Sequence, residues 1–311
     1  MDFSRQTYLE SLWSSKKLND NARFFYEIKD INDILNFSRN RPIAHIEIDF
    51  NGNEHSNIQF VIPTMNTESD LCRNITKKYN DYGITFVKSS GQFFNYSRSI
   101  NYGIESVLGK KATKIIVVSN DDIILDDANL TFIQNLNLDK NFAYCLSKPP
   151  MLNEYSGEDI TIYQSNHLSM MKEVMDSIMS KQKKRLSLIK YMKMKSFDYA
   201  NAINDRYLIN KMIIHTTRKR ILKLKNFADF GVFNAKLFPD FKFDETFING
   251  WEDWDLVYRL SKQGIRFKEI NNEYSRMGHA SISRVMTKEM EDLHSYLNRI
   301  YFSWKHFNKK S

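Results

Sequence analysis

The sequence predicts an α/β protein, a mostly parallel sheet with helices on both faces. Two observations carry this. Short apolar runs stand at 58–62, 84–87 and 115–118, and helical spacing fills both intervals between them. Polar residues follow the first and last runs at once, as Pro63-Thr64 and as Asn120-Asp121-Asp122. Open α/β sheets bind ligands just beyond the carboxyl ends of such strands.

Length and composition bound the rest. The 311 residues suffice for one large α/β domain with insertions, and 42% are hydrophobic, so a core can form. The two cysteines, Cys72 and Cys145, have no metal-type spacing and no disulfide pattern, which suits a reducing, cytoplasmic setting. The opening MDFSRQTYLESLW carries scattered charges and does not read as a signal peptide. No apolar run approaches the ~20 residues needed to span a bilayer.

Taken in order, residues 1–57 read as an N-terminal extension packed on the core. It includes an alternating strand at 43–50 and a turn at Asn51-Gly52. Residues 58–285 read as the main domain. Ile58 to Thr64 is a buried strand, Ser69 to Tyr79 a helix, and Ile84 to Lys88 a strand. Phe94 to Val107 follows as a helix with Ile100, Ile104 and Val107 facing inward, then a strand at 115–118. Further strands are expected at 142–147, 227–233 and 265–270. A helical insertion occupies about 165–225. Residues 286–311 form an amphipathic helix, with Leu293, Tyr296, Leu297, Ile300, Tyr301, Trp304 and Phe307 on its apolar face.

The net charge of +8 is uneven. Fourteen Lys or Arg and two acids fall between Lys181 and Lys225, which leaves the rest of the chain net acidic. This insertion is either a solvated charged face or a contact for anionic membrane lipid or a polyanionic acceptor. It contains no recognised nucleic-acid module, so nucleic acid ranks low.

The most informative stretch is Asn249-Gly250-Trp251-Glu252-Asp253-Trp254-Asp255-Leu256. Three carboxylates begin a helix whose apolar side is Leu256, Val257 and Leu260, with Gly264 as its stop. First-turn acids complement the helix dipole, so capping accounts for part of this pattern. It does not account for the two flanking tryptophans.

This stretch resembles the Gly-Trp-Glu-Asp-x-Asp-Leu segment of GT-A inverting glycosyltransferases, of the galactosyltransferase-like and chondroitin-polymerase-like types. The resemblance covers about residues 58–150 and 226–285. It implies that Asp253 is the catalytic base, with Glu252 beside it, and that Trp251, Glu252 and Asp255 meet the acceptor. Asn120-Asp121-Asp122 is similar to the family's metal motif. It implies Asp122 as a metal ligand, Asn120 and Asp121 beside the nucleotide, and His279, twenty-six residues after Asp253, as a second ligand. Pro63, Thr64, Asn66, Phe94, Asn95 and Arg98 are similar to residues lining the nucleotide-sugar site, an arginine near a helix start suiting a diphosphate. Phe243-Asp244-Glu245-Thr246-Phe247 is typical of the family too, but Asp244 and Glu245 are expected to brace a loop.

The implied reaction moves a sugar from a nucleotide diphosphate, UDP by resemblance, to a hydroxyl of a glycan or lipid-linked acceptor. The implied cofactor is Mn²⁺, or Mg²⁺, and nitrogen ligation by His279 would favour Mn²⁺. A polysaccharide-building enzyme at the inner membrane face would fit the basic insertion. Two other classes stay open. A nucleotidyltransferase would normally show a glycine-rich basic loop after the first strand, and Met65-Asn66-Thr67-Glu68 is not one. A catalytically silent sugar- or nucleotide-binding protein would not need the Glu252-Asp253 pair.

Overall fold

The computed structural model describes residues 31–91, 93–146, 154–158, 219–223, 230–238, 240–265, 267–270 and 274–276. It also describes the helical residues 294, 297–298, 301–302 and 305–306. Helix α1 (Ile31–Arg39) leads into β1 (Glu47–Gly52). Then come β2 (Ile58–Thr64), α2 (Asp70–Lys78), β3 (Gly83–Lys88), α3 (Tyr96–Leu108) and β4 (Ile115–Ser119). The remainder comprises β5 (Ile123–Leu125), α4 (Asp127–Gln134), β6 (Ala143–Leu146), β7 (Glu154–Glu158), β8 (Lys219–Lys223) and β9 (Phe230–Asn234). Helix α5 (Glu252–Lys262), β10 (Phe267–Ile270) and β11 (Tyr274–Arg276) complete the order.

Seven strands form one sheet in the order β1-β3-β2-β4-β9-β6-β10. The α/β class stands, and the sheet is mixed. β3, β2 and β4 are parallel, as are β6 and β10, while β1 and β9 run against their neighbours. Strand direction leaves no local mark on a doubly buried strand. Every residue of β9 is buried, as in β2 and β4, so all three read alike as apolar runs.

Side-chain alternation splits the core in two. Ile58, Phe60 and Ile62 of β2, with Ile115 and Val117 of β4, face α2 and α4 through Cys72, Ile75, Leu130 and Ile133. Val61, Ile116 and Val118 face the other way, onto Ile100, Ile104 and Val107 of α3 and Leu256, Val257 and Leu260 of α5. Helices therefore cover both faces. Helix α3 lies close on the sheet at Gly103, where a Cβ would come within 2.5 Å of Val61 Cγ1 and 2.6 Å of Val87 Cγ2.

The expected strand at 43–50 is β1, shifted to 47–52, and it is an edge strand of the main sheet. The turn follows at residues 54–55, and the last residue of the strand is Gly52. Its φ is +70°, and a Cβ there would stand 2.2 Å from the Tyr82 carbonyl oxygen, so the position is reserved for glycine. The strand expected at 227–233 is β9, at Phe230–Asn234. Of the helical insertion expected at about 165–225, only Lys219–Lys223 is described, and it is not helical: it is β8, which pairs with β7 as a separate antiparallel ribbon. Among the described residues no helix is long and apolar enough to cross a membrane.

Candidate active site

The chain crosses from β2 through α2 to β3 on one side, and from β3 through α3 to β4 on the other. The strand order reverses between β2 and β4, and the carboxyl ends of that pair are where such sheets form a ligand crevice. The register pairs Val61 with Val118, so three residues on Thr64 stands level with Asp121. Thr64 Oγ1 donates to Asp121 Oδ2 at 2.7 Å. Both residues are buried, as are Pro63 and Asp122, whereas Asn66 is exposed and Asn120 half-buried. The Asn66 amide donates to Thr64 Oγ1, and the Cys72 thiol lies 3.4 Å from the same hydroxyl. Burial pushes the Cys72 thiol up, and the nearby Asp121 adds to this.

The second group sits at the start of α3. Asn95 caps the helix, accepting from the Arg98 amide at 2.9 Å. Its Nδ2 donates to the carbonyls of Glu245 and Phe247, each at 3.1 Å. Arg98 Nε donates to Glu245 Oε2 at 2.9 Å, and Asn101 Nδ2 to Glu245 Oε1 at 3.1 Å. Asn249 accepts from the Tyr96 amide at 2.8 Å and donates to the Phe94 carbonyl at 2.9 Å. The amides of Tyr96 and Arg98 are thus taken by the protein's own side chains. At this helix start Asn95 and Arg98 brace the 243–249 loop, a role the diphosphate expectation did not foresee. From within that loop Glu245 accepts from both Arg98 and Asn101, the bracing role expected of it.

The 89–95 loop joins the two groups. Its first residue, Ser89, donates its amide to the Thr64 carbonyl at 3.0 Å, and the carbonyl of its later residue Phe94 receives Asn249. Hydrogen bonds therefore tie Asp121 to Thr64 and Thr64 to the start of this segment, and its Phe94 to Asn249 of the acidic turn.

The turn itself is strained. Asn249 has φ of 50° and Trp251 φ of 71°, and left-handed backbone is a genuine outlier for a residue as bulky as tryptophan. Trp251 is the N-cap of α5 yet makes no side-chain capping bond. Capping comes instead from the acids: Glu252 Oε2 accepts from the Gly250 amide at 2.5 Å, and Asp253 Oδ1 from the Trp254 amide at 2.8 Å. The helix ends at Gly264, φ +80°, with its amide on Ser261 and the Ile265 amide on Leu260, the expected glycine stop.

The three carboxylates differ sharply. Glu252 is buried, and burial together with the charges of Asp253 and Asp255 pushes its carboxyl up to about 8. Both causes favour its neutral form. Asp253 is only half-buried and lies beside it. Asp255 has no accessible surface. It accepts from Arg259 Nε at 2.8 Å, Lys305 Nζ at 2.6 Å and His306 Nε2 at 2.7 Å. Burial pushes Asp255 up, but the His306 hydrogen bond and the Arg259 and Lys305 charges outweigh it and hold the group well below the usual carboxylate range. The assignment of Asp255 to the acceptor is therefore corrected: it is an interior anchor, out of reach of any ligand. Trp251 and Trp254 are half-buried with ring centroids 6.3 Å apart, and Trp251 also lies 5.4 Å from Phe302.

His279 lies outside the described residues. The strand before it is placed: Arg276 of β11 pairs with Ile123, the residue after Asp122. Among the described residues no three His, Cys, Asp or Glu side chains gather as a metal cage. The donors present, Asp121 and Asp122 with the Thr64 hydroxyl, are hard oxygens. They fit Mg²⁺ or Mn²⁺, which take few protein carboxylates and complete their shell with phosphate and water. No protein-family model matches this chain. No curated protein matches it significantly.

Sequence reasoning missed the bracing groups: Asn249, Asn298, Lys305, His306 and the Thr64–Asp121 bond. Only Asn298 and Lys305 left a trace, as polar residues at helical spacing within an apolar stripe.

Proposed function

We propose that this protein is a metal-dependent inverting glycosyltransferase acting from a nucleotide-diphosphate sugar on a hydroxyl of a glycan or lipid-linked acceptor. The observation that carries the reading is a set of hydrogen bonds: hard-oxygen donors at the β2/β4 switch point are tied through Thr64 to Ser89, and the Phe94 carbonyl just beyond holds Asn249 of a strained turn in which a buried acid stands beside a more accessible carboxylate. Strain at one turn, held by several side chains, is characteristic of functional sites.

Asp253 acts as general base. The acceptor oxygen forms a bond to the anomeric carbon, the bond to the diphosphate breaks, and the acceptor proton passes to the Asp253 carboxylate. Such help is typically worth about 10²–10⁴ in rate. Burial and the neighbouring Asp253 favour the protonated form of Glu252, which can donate a hydrogen bond to a sugar hydroxyl without placing a second charge next to Asp253. Asp122, with Asp121 oriented by Thr64, would hold the divalent ion, and His279 is its second proposed ligand. When bound, the ion supplies charge stabilisation to the departing diphosphate. The basic 181–225 segment would bring the enzyme to an anionic membrane face or acceptor from the cytoplasmic side.

A hydrolysis and transfer screen with several nucleotide sugars and Mn²⁺ tests this. Release of nucleoside diphosphate that stops with EDTA and returns with Mn²⁺ is expected. Release of pyrophosphate would instead mean nucleotidyl transfer, and no turnover of any donor would leave only a binding protein.

A further inference from the structure

Among the described residues, no strand lies beside the turn carrying Glu252 and Asp253, so side chains must hold its backbone. The C-terminal helix supplies them along the span from 244 to 255. Asn298 Oδ1 accepts from the Ile248 amide and its Nδ2 donates to the Ile248 carbonyl, both at 2.8 Å. One buried carboxamide thus satisfies both backbone groups of the residue before the strained pair, as a neighbouring strand would. Upstream, Tyr301 Oη and Lys305 Nζ each donate to Asp244 Oδ2 at 2.7 Å. Downstream, the same Lys305 reaches Asp255 Oδ1 at 2.6 Å, and His306 joins that oxygen at 2.7 Å. Between them Phe302 packs on Trp251 and Tyr258, and Tyr301 on Phe247.

We propose that the helical residues Asn298, Tyr301, Phe302, Lys305 and His306 form the clamp that fixes the acidic turn in its productive geometry, with Asn298 as the positioning residue and Lys305 as the second anchor. The role in turnover rests on the glycosyltransferase reading; the clamp does not. Lys305 binds carboxylates on both sides of the turn, eleven residues apart, and so fixes the span between them. Asn298 fixes its middle. Left-handed backbone at Asn249 and Trp251 persists only while the surroundings over-determine it. Loss of the Asn298 bonds therefore lets the turn relax and moves Asp253 away from its place. A displacement of about 1 Å in a reacting group can cost on the order of 100-fold in rate.

The test is hydrogen exchange on the full chain, with steady-state kinetics beside it. In Asn298→Ala, amides from Ile248 to Asp253 should exchange at least tenfold faster while those of β2 and β4 keep their protection. Asn298→Asp should behave alike, because a carboxylate cannot donate to the Ile248 carbonyl. With the donor found by the screen, kcat should fall at least tenfold and donor KM should stay within twofold. Unchanged exchange at 248–253 would overturn the clamp, and faster exchange with unchanged kcat would overturn its role in turnover. Should Asn298→Ala fail to fold, Tyr301→Phe, which removes one hydroxyl from Asp244, carries the same measurements. Absence of turnover in the unaltered protein would count against the glycosyltransferase reading alone, since the exchange result judges the clamp by itself.

Discussion

Thr64 and Asp121, fifty-seven residues apart, are joined by a 2.7 Å hydrogen bond at the carboxyl ends of neighbouring parallel strands. The hydroxyl donates to Oδ2 and so sets the plane of the carboxylate.

Thr64→Val keeps the shape and removes the donor. A buried carboxylate losing such a bond should cost about 1–3 kcal/mol, read from the midpoint of denaturant unfolding. Mn²⁺ affinity, measured by calorimetry in the presence of a nucleoside diphosphate, should fall as well. Unchanged affinity would separate Asp121 from the metal.

Asp253→Asn removes the proposed base with almost no change of volume. Transfer should fall by about 10²-fold or more, while donor binding stays within twofold of the unaltered protein. Joint loss of donor binding and turnover would make Asp253 a structural or metal-binding residue.

Glu252 gives a pH signature. Its carboxyl is pushed up to about 8 in the fold and returns to about 4.3 on unfolding. Between those values the folded protein holds more protons than the unfolded chain. The stabilisation tied to that proton is complete below about pH 4 and is lost as pH rises through 8, by up to about 1.4 kcal/mol per pH unit. Glu252→Gln cannot ionise, so its stability relative to the unaltered protein should improve steadily from pH 5 to pH 8. Parallel pH profiles for the two proteins would show that Glu252 is charged in the fold.

Asp255 behaves in the opposite sense. Its folded carboxyl lies below the unfolded value, so its contribution is present above about pH 4 and is lost as pH falls through the folded value. Asp255→Ala leaves Arg259, Lys305 and His306 without their shared anion and should cost about 3–5 kcal/mol at pH 7. Thermal unfolding across pH 2–7 checks both statements: the variant should lose stability at neutral pH and show a weaker dependence in acid.

Much of the frame was legible in the sequence. The helix expected from Ser69 to Tyr79, the inward stripe of α3 and Gly264 as the stop of α5 follow from local rules, and the structure has them at about those positions. Asp244 and Glu245 as loop braces were legible too, since acids flanked by buried phenylalanines need partners. The reversed direction of β9 was not, because a strand buried on both faces carries the same apolar run either way.

The sequence by itself determined the elements, the alternating cores on the two faces of β2 and β4, and the presence of acids at a strand end and at a helix start. Those features rest on interactions between residues a few positions apart. Only the tertiary structure decided what each acid is. Asp253 and Asp255 are the same residue type two positions apart, yet one is half-buried and the other is sealed against Arg259, Lys305 and the His306 ring. Burial and partners from a helix fifty residues downstream make that difference. A carboxylate's charge and reach are set by its surroundings, and those are assembled only when the chain folds.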